Sequence, residues 1–99
     1  MSPGIKLLVL DVLKPHQPNL PLLASKLADI DCINGVNISL IEIDKETESI
    51  KITIAGDDLD YEKIGDELAR WNCSIHSVDK VIAGEKIIEE VPTHSDKNL

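Results

Sequence analysis

Along this chain the spacing of apolar residues changes several times, and each change marks an element. Ile5 to Leu13 is apolar except at Lys6 and Asp11, as in a central strand covered on both faces, and it closes at Lys14-Pro15. Asn19 is a good helix N-cap, after which Leu20, Leu23, Ala24, Leu27 and Ile30 recur at helical spacing, with Pro21 in the tolerant first turn. This helix is expected to stop near Asn34-Gly35. Val36 to Asp44 reads as a strand and Lys45 to Glu48 as a turn. Ser49 to Ala55 reads as the returning strand, because Ile50, Ile52 and Ile54 alternate with Lys51 and Thr53. Asp60 caps a second helix whose apolar face is Tyr61, Ile64, Leu68 and Trp71, with Asp66 and Arg70 spaced to form an ion pair. Ser74 to Ala83 makes the last strand, ended by Gly84.

The order βαββαβ is the ferredoxin-like, split-βαβ arrangement. Right-handed crossovers give a four-stranded antiparallel sheet of order 4-1-3-2, with two helices on one face of an α+β fold. Residues 1–88 are expected to form one domain and residues 89–99 a polar tail. Cys32 and Cys73, each read at a helix C-terminus, then fall at opposite ends, too far apart for a disulfide that needs Cα atoms within about 7 Å.

Alternation sorts the strands into a helix-facing and an open side. Ile50, Ile52 and Ile54 must face the helices, and pairing carries Leu8, Leu10, Val12, Ile41, Ile43 and Val78 with them. The open side would then hold Ile5, Leu7, Val9, Leu13, Val36, Ile38, Leu40, Lys51, Thr53, Ala55, Ile75 and Val81, with the apolar members gathered toward one end. Asp11, Glu42, Asp44, Ser77 and Asp79 would gather toward the other. About six exposed aliphatic side chains at about 1.5–3 kcal/mol each rival the whole stability of a small domain. Another copy of the chain is the expected cover, and a repeated heterologous contact closes into a ring.

Composition narrows the field. The 99 residues suit a single domain, and 42% hydrophobic content with Trp71 and Tyr61 as the only aromatics requires an aliphatic core. A formal charge of −8 removes the usual attraction to nucleic-acid phosphates and anionic lipid, so neither is expected as a partner. Ile5 to Leu10 is too short for a signal or membrane segment, which makes the chain cytoplasmic on this reading. Two cysteines without metal-ligand spacing argue for reduced thiols and against zinc or an iron-sulfur cluster.

Two polar stretches interrupt this plan: Asp11-Val12-Leu13-Lys14-Pro15-His16 and Ile75-His76-Ser77-Val78-Asp79. Carboxylates about 5 Å apart repel by about 3 kcal/mol at an effective dielectric of about 20, so a cluster must protonate, separate or hold a cation. Asp11, Glu42, Asp44 and Asp79 are the candidate ligands of calcium or magnesium, which prefer oxygen donors. Lys14, His16, His76 and Ser77 are candidate contacts to a small polar ligand. In the alternative reading Lys14, Lys51 and Lys80 neutralise the carboxylates and the cluster only joins subunits. An enzyme would have to use Asp11, Lys14 and His16 as its polar centre, yet no residue is assigned a catalytic role. Ser77 has no histidine placed as its base, and no glycine-rich phosphate loop is present.

With Val36-Asn37-Ile38-Ser39, Glu42-Ile43-Asp44 and Ile52-Thr53-Ile54, those two stretches make the chain resemble a family of small archaeal proteins of unknown function. The resemblance spans nearly all of Ile5 to Gly84. It implies a ferredoxin-like fold and ring-shaped homo-oligomers, and it brings no activity. Where that family often has glycine before the last strand, this chain has Asn72-Cys73. The element order is also similar to that of ACT regulatory domains, whose small ligands bind where strand one meets helix one, here Lys14 to Asn19. RNA-recognition domains share the order but need aromatic residues on the open sheet, and this chain has none there.

Overall fold

The computed structural model describes residues 4–93. It contains β1 (Ile5–Pro15), α1 (Leu20–Ala28), β2 (Ile33–Ile43), β3 (Thr47–Gly56), α2 (Tyr61–Arg70) and β4 (Ser74–Ala83). The strands form one antiparallel sheet ordered β2-β3-β1-β4, the expected ferredoxin-like topology read from its other edge. Leu23 and Leu27 of α1 and Ile64 and Leu68 of α2 share one core with Leu8, Leu10 and Val12 of β1 and Ile50, Ile52 and Ile54 of β3. Both helices therefore cover the same side. The molecule measures 18 Å in its thinnest direction, which leaves room for only one helix layer on the sheet.

Local chemistry sets the element ends. Asn19 Oδ1 accepts the Leu22 N–H at 2.9 Å and Asp60 Oδ1 accepts the Lys63 N–H at 3.1 Å, so both predicted N-caps are in place. Helix α2 ends with Cys73 N–H donating to Leu68 O and Asn72 N–H donating to Ala69 O, at 2.9 and 3.0 Å. Asn72 takes the left-handed conformation (φ 61°) that this ending requires, which asparagine tolerates better than most residues.

Several expectations are corrected. Helix α1 stops at Ala28 rather than near Asn34-Gly35, because a turn through Ile30 N–H to Leu27 O and Ile33 N–H to Ile30 O buries Ile30 and Ile33. Asn34 and Gly35 are part of β2, and Cys32 lies in the connection, not on the helix. Ile33 opposes Gly56 near one end of the sheet and Ser74 opposes Leu13 near the other, so the free thiols of Cys32 and Cys73 are indeed far apart. The Asp66–Arg70 pair does not form. Arg70 instead approaches Glu67 at 3.7 Å, and Glu67 also accepts Trp71 Nε1–H at 2.9 Å.

The largest correction concerns which side β2 and β4 present. Val36, Ile38 and Leu40 oppose Ile54, Ile52 and Ile50, which puts them on the helix side and not on the open one. A bulge between Leu40 and Glu42 then inserts Ile41, which turns to the open side instead of the core. In β4, irregularities flank Val78 and leave His76 and Asp79 unmatched, so Ile75, Val78 and Val81 oppose Val12, Leu10 and Leu8. Ile75 and Val81 thus move to the helix side. Strict alternation cannot anticipate this, because each inserted residue reverses the parity beyond it.

Gly56 shows how tightly the end of β3 is packed. A Cβ there would strike the backbone oxygen of Cys32 and the Leu59 side chain. We predict that Gly56→Ala costs about 1–3 kcal/mol through overpacking, measured as a lower urea midpoint with an unchanged m-value.

Candidate functional site

The two polar stretches separate onto opposite sides of the sheet. On β1 the helix-facing series Leu8, Leu10, Val12 continues to Lys14, whose side chain is completely buried. A buried ammonium must be hydrogen-bonded on the spot. Lys14 Nζ donates to Pro15 O at 2.8 Å, to Pro18 O at 2.5 Å and, more weakly, to His16 O at 3.3 Å. It also meets Glu48 Oε1 at 2.9 Å. Glu48 stands directly across from Lys14 in the β1–β3 register. The loop after β1, with its cis Gln17–Pro18 peptide, is therefore wrapped around a single charge.

His16 extends this clasp. Its Nε2–H donates to Lys45 O at 2.9 Å and its Nδ1 lies 3.0 Å from Glu48 Oε2. A carbonyl and a carboxylate both only accept, so the ring satisfies both together as imidazolium. The Glu48 hydrogen bond, the Lys45 carbonyl and the Glu48 charge hold the His16 pKa above its ordinary value, against desolvation and the Lys14 charge. Hydrogen bonds from His16 and Lys14 hold the Glu48 carboxyl below its own. The loop after β1 is thus fastened to the β2–β3 turn.

The open side carries the other group. Asp11 opposes Lys51 on one neighbour and Ser77 on the other, while Val9 opposes Lys80. With Ile41 and Asp79 these residues line a shallow hollow of ≈ 390 Å³. Ser77 Oγ–H donates to Asp79 Oδ1 at 2.7 Å and fixes that carboxylate at the rim. Of the four carboxylates expected together, Asp11 and Asp79 share this hollow. Glu42 lies on the edge strand opposite Ser49, and Asp44 lies in the β2–β3 turn with its N–H on Thr47 O. Among the described residues no three His, Cys, Asp or Glu side chains are grouped to hold a metal ion. His76 is exposed at an irregularity of β4.

Lys14 does not neutralise Asp11, since it sits on the opposite face and has four acceptors for three N–H groups. Lys51 and Lys80 do stand beside Asp11 and Asp79. Sequence reasoning missed Glu48, although it is the residue that the Val12–Ile50 pairing brings opposite Lys14. It also missed Ile41 as part of the open face, which only the bulge reveals.

A small α+β protein with a ferredoxin-like sheet, both of its described helices on one side, is the class that fold and site define. The chain belongs to the DUF211 family, described as uncharacterized ArCR, whose profile matches residues 6–97. It is 50% identical to the uncharacterized protein MJ0319 of Methanocaldococcus jannaschii over 95 residues, covering 96% of this chain and 98% of that protein. The resemblance to a family of small archaeal proteins is borne out at that level.

Two outcomes test the clasp. Lys14→Met should cost about 3 kcal/mol in urea unfolding, because it leaves three carbonyls and part of Glu48 without their donor. The His16–Glu48 contact stabilises fully below the ordinary His value of 6.5 and is lost as pH rises through the raised folded value. Its Glu48 part is present above 4.5 and is lost as pH falls through the lowered folded value. The Tm advantage of the parent over His16→Gln should therefore be largest between those two pH values and shrink above neutrality.

Proposed function

We propose that this chain is a non-enzymatic, homo-oligomeric binding module that takes a small polar ligand, or a calcium or magnesium ion, at the Asp11/Asp79 hollow. The observation that carries self-association is the pair of uncovered aliphatic rows on opposite edges of the sheet. On β2, Ile41 and Ile43 are each 62% exposed, and on β4, Val81 is 52% exposed. Two different edges that meet copy to copy make a heterologous contact, and such contacts close into rings when the rotation allows. The hollow supports the binding half of the reading, because it sets two carboxylates and two ammonium groups over the apolar floor of Val9 and Ile41.

The enzyme reading lacks comparable support, since Asp11 and Lys14 lie on opposite faces of β1. Among the described residues no helix is long and apolar enough to cross a membrane. A cytoplasmic setting, with nucleic acid absent from the partners, belongs to the same proposal and rests on the free cysteines and the net charge of −8.

Light scattering on the eluting protein should give a whole-number multiple of the chain mass; a monomer at every concentration would remove the self-association half. For the hollow, thermal melts with calcium, with magnesium and with chelator are compared between the parent and Asp11→Asn. The cation reading requires a metal-dependent rise in Tm that the substitution at least halves. Identical melts in all three conditions would sink it.

A further inference from the structure

Asn34-Gly35 ends no helix in this fold and makes no turn, since both residues lie inside β2. The pair is left without an architectural reason. Gly35 has no left-handed backbone, and a Cβ built on it would meet nothing within 4 Å, so alanine fits there without strain. What glycine does supply is an unshielded backbone nitrogen. With no Cβ beside it, that nitrogen can reach the side-chain carbonyl carbon of the preceding asparagine, the chemistry that makes asparagine a thermolabile residue.

The local structure leaves this reaction room. Ile33 opposes Gly56 and Gly35 opposes Ala55, so Asn34 is the inserted residue of a ladder irregularity, on a strand at the edge of the sheet. Asn34 is also exposed. Irregular edge backbone is among the first to open locally, which frees the rotation about Asn34 that a regular ladder would forbid. Asn37 is the internal contrast, because it is exposed on the same strand but is matched to Thr53 and followed by the β-branched Ile38.

We propose that Asn34 is a site of spontaneous self-modification, at which the chain converts this asparagine to aspartate and isoaspartate through a succinimide shared with Gly35. The Gly35 nitrogen gives its proton to solvent base and bonds to Asn34 Cγ; the Cγ–Nδ2 bond breaks, and the side-chain nitrogen takes up a proton and leaves as ammonia. Water then opens the ring. Attack at Cγ breaks its bond to the Gly35 nitrogen and leaves an ordinary aspartate, whereas attack at the Asn34 backbone carbonyl carbon leaves an isoaspartate whose chain runs on through Cβ and Cγ. Either route consumes water and releases ammonia.

The product changes the charge pattern at this end of the sheet. The Lys6 hydrogen bond at 2.7 Å and the Lys6 charge, followed by the Asn34 amide, hold the Asp57 carboxyl below its ordinary value. After conversion to aspartate a carboxylate faces Asp57 where an amide donor stood, and like charges repel. The isoaspartate adds a carbon to the backbone of the edge strand. Each product loosens the tie between the start of β2 and the segment after β3.

The test holds the folded full chain, its Gly35→Ala variant and a synthetic peptide of residues 31–38 for days in one mildly alkaline buffer, below the unfolding temperature. Peptide mass spectrometry, with chromatographic separation of the two acidic products, follows amide loss at positions 34 and 37. The proposal expects Asn34 of the folded parent to convert within about tenfold of the peptide rate and to give both products, with Asn37 lagging behind. Gly35→Ala should slow the conversion by about tenfold or more while keeping the parent's circular dichroism spectrum. A folded parent more than about tenfold slower than the peptide overturns the proposal, since the ladder then protects the pair. Conversion at Asn37 as fast as at Asn34, or a folded Gly35→Ala chain that converts like the parent, overturns it too. Should Gly35→Ala unfold, the comparison of parent with peptide decides.

Discussion

A charge buried in hydrocarbon has to be met by partners that the chain itself can bring, and Lys14 meets that demand with three backbone carbonyls and one carboxylate. Satisfying it fixes the path of the loop from β1 to α1, because Pro15, His16 and Pro18 must each turn an oxygen toward the same nitrogen. It also fixes the hairpin between β2 and β3, since Glu48 serves Lys14 and His16 together while His16 reaches on to Lys45. The start of α1 and the tip of the hairpin are therefore positioned by one ammonium group. The polar stretch at the end of β1 is thus divided by the sheet: Lys14 braces the helix side and Asp11 faces the open one.

The sheet irregularities divide the remaining work. In β4 the matched positions Ile75, Val78 and Val81 stay on the helix side while Ser77 and Lys80 turn outward. In β2 a single inserted residue brings Ile41 onto the open face and leaves Ile43 near the edge. Extra residues in a strand re-aim the side chains beyond them, and here they do so beside the hollow. The arrangement of charges at Asp11, Lys51, Asp79 and Lys80 is a product of register as much as of composition.

The fold was legible because its signals are local and repeated. Asn19 and Asp60 cap the helices they were expected to cap, and the alternation of Ile50, Ile52 and Ile54 defines the core face of β3. The alternation of Leu8, Leu10 and Val12 also extends to Lys14, so its burial was present in the pattern, but a lysine reads as a surface residue unless its partners are known. What could not be read was the set of bulges. They depend on how β2 and β4 fit their neighbours, and a one-residue shift moved Val36, Ile38, Leu40, Ile75 and Val81 to the face opposite the one expected. Glu42 keeps the open face, opposite Ser49, but β2 stands two strands away from β1, and Asp44 lies in the β2–β3 turn, so neither lines the hollow with Asp11 and Asp79.

Trp71 is the only tryptophan, and it packs against the helix-side core with its ring N–H on Glu67. The whole thickness of the sheet separates its indole from the hollow. Its emission therefore reports whether the domain is intact and stays silent on occupancy of the far side. A fluorescence titration that shows nothing says nothing about binding, and a reporter for the open face has to be planted there.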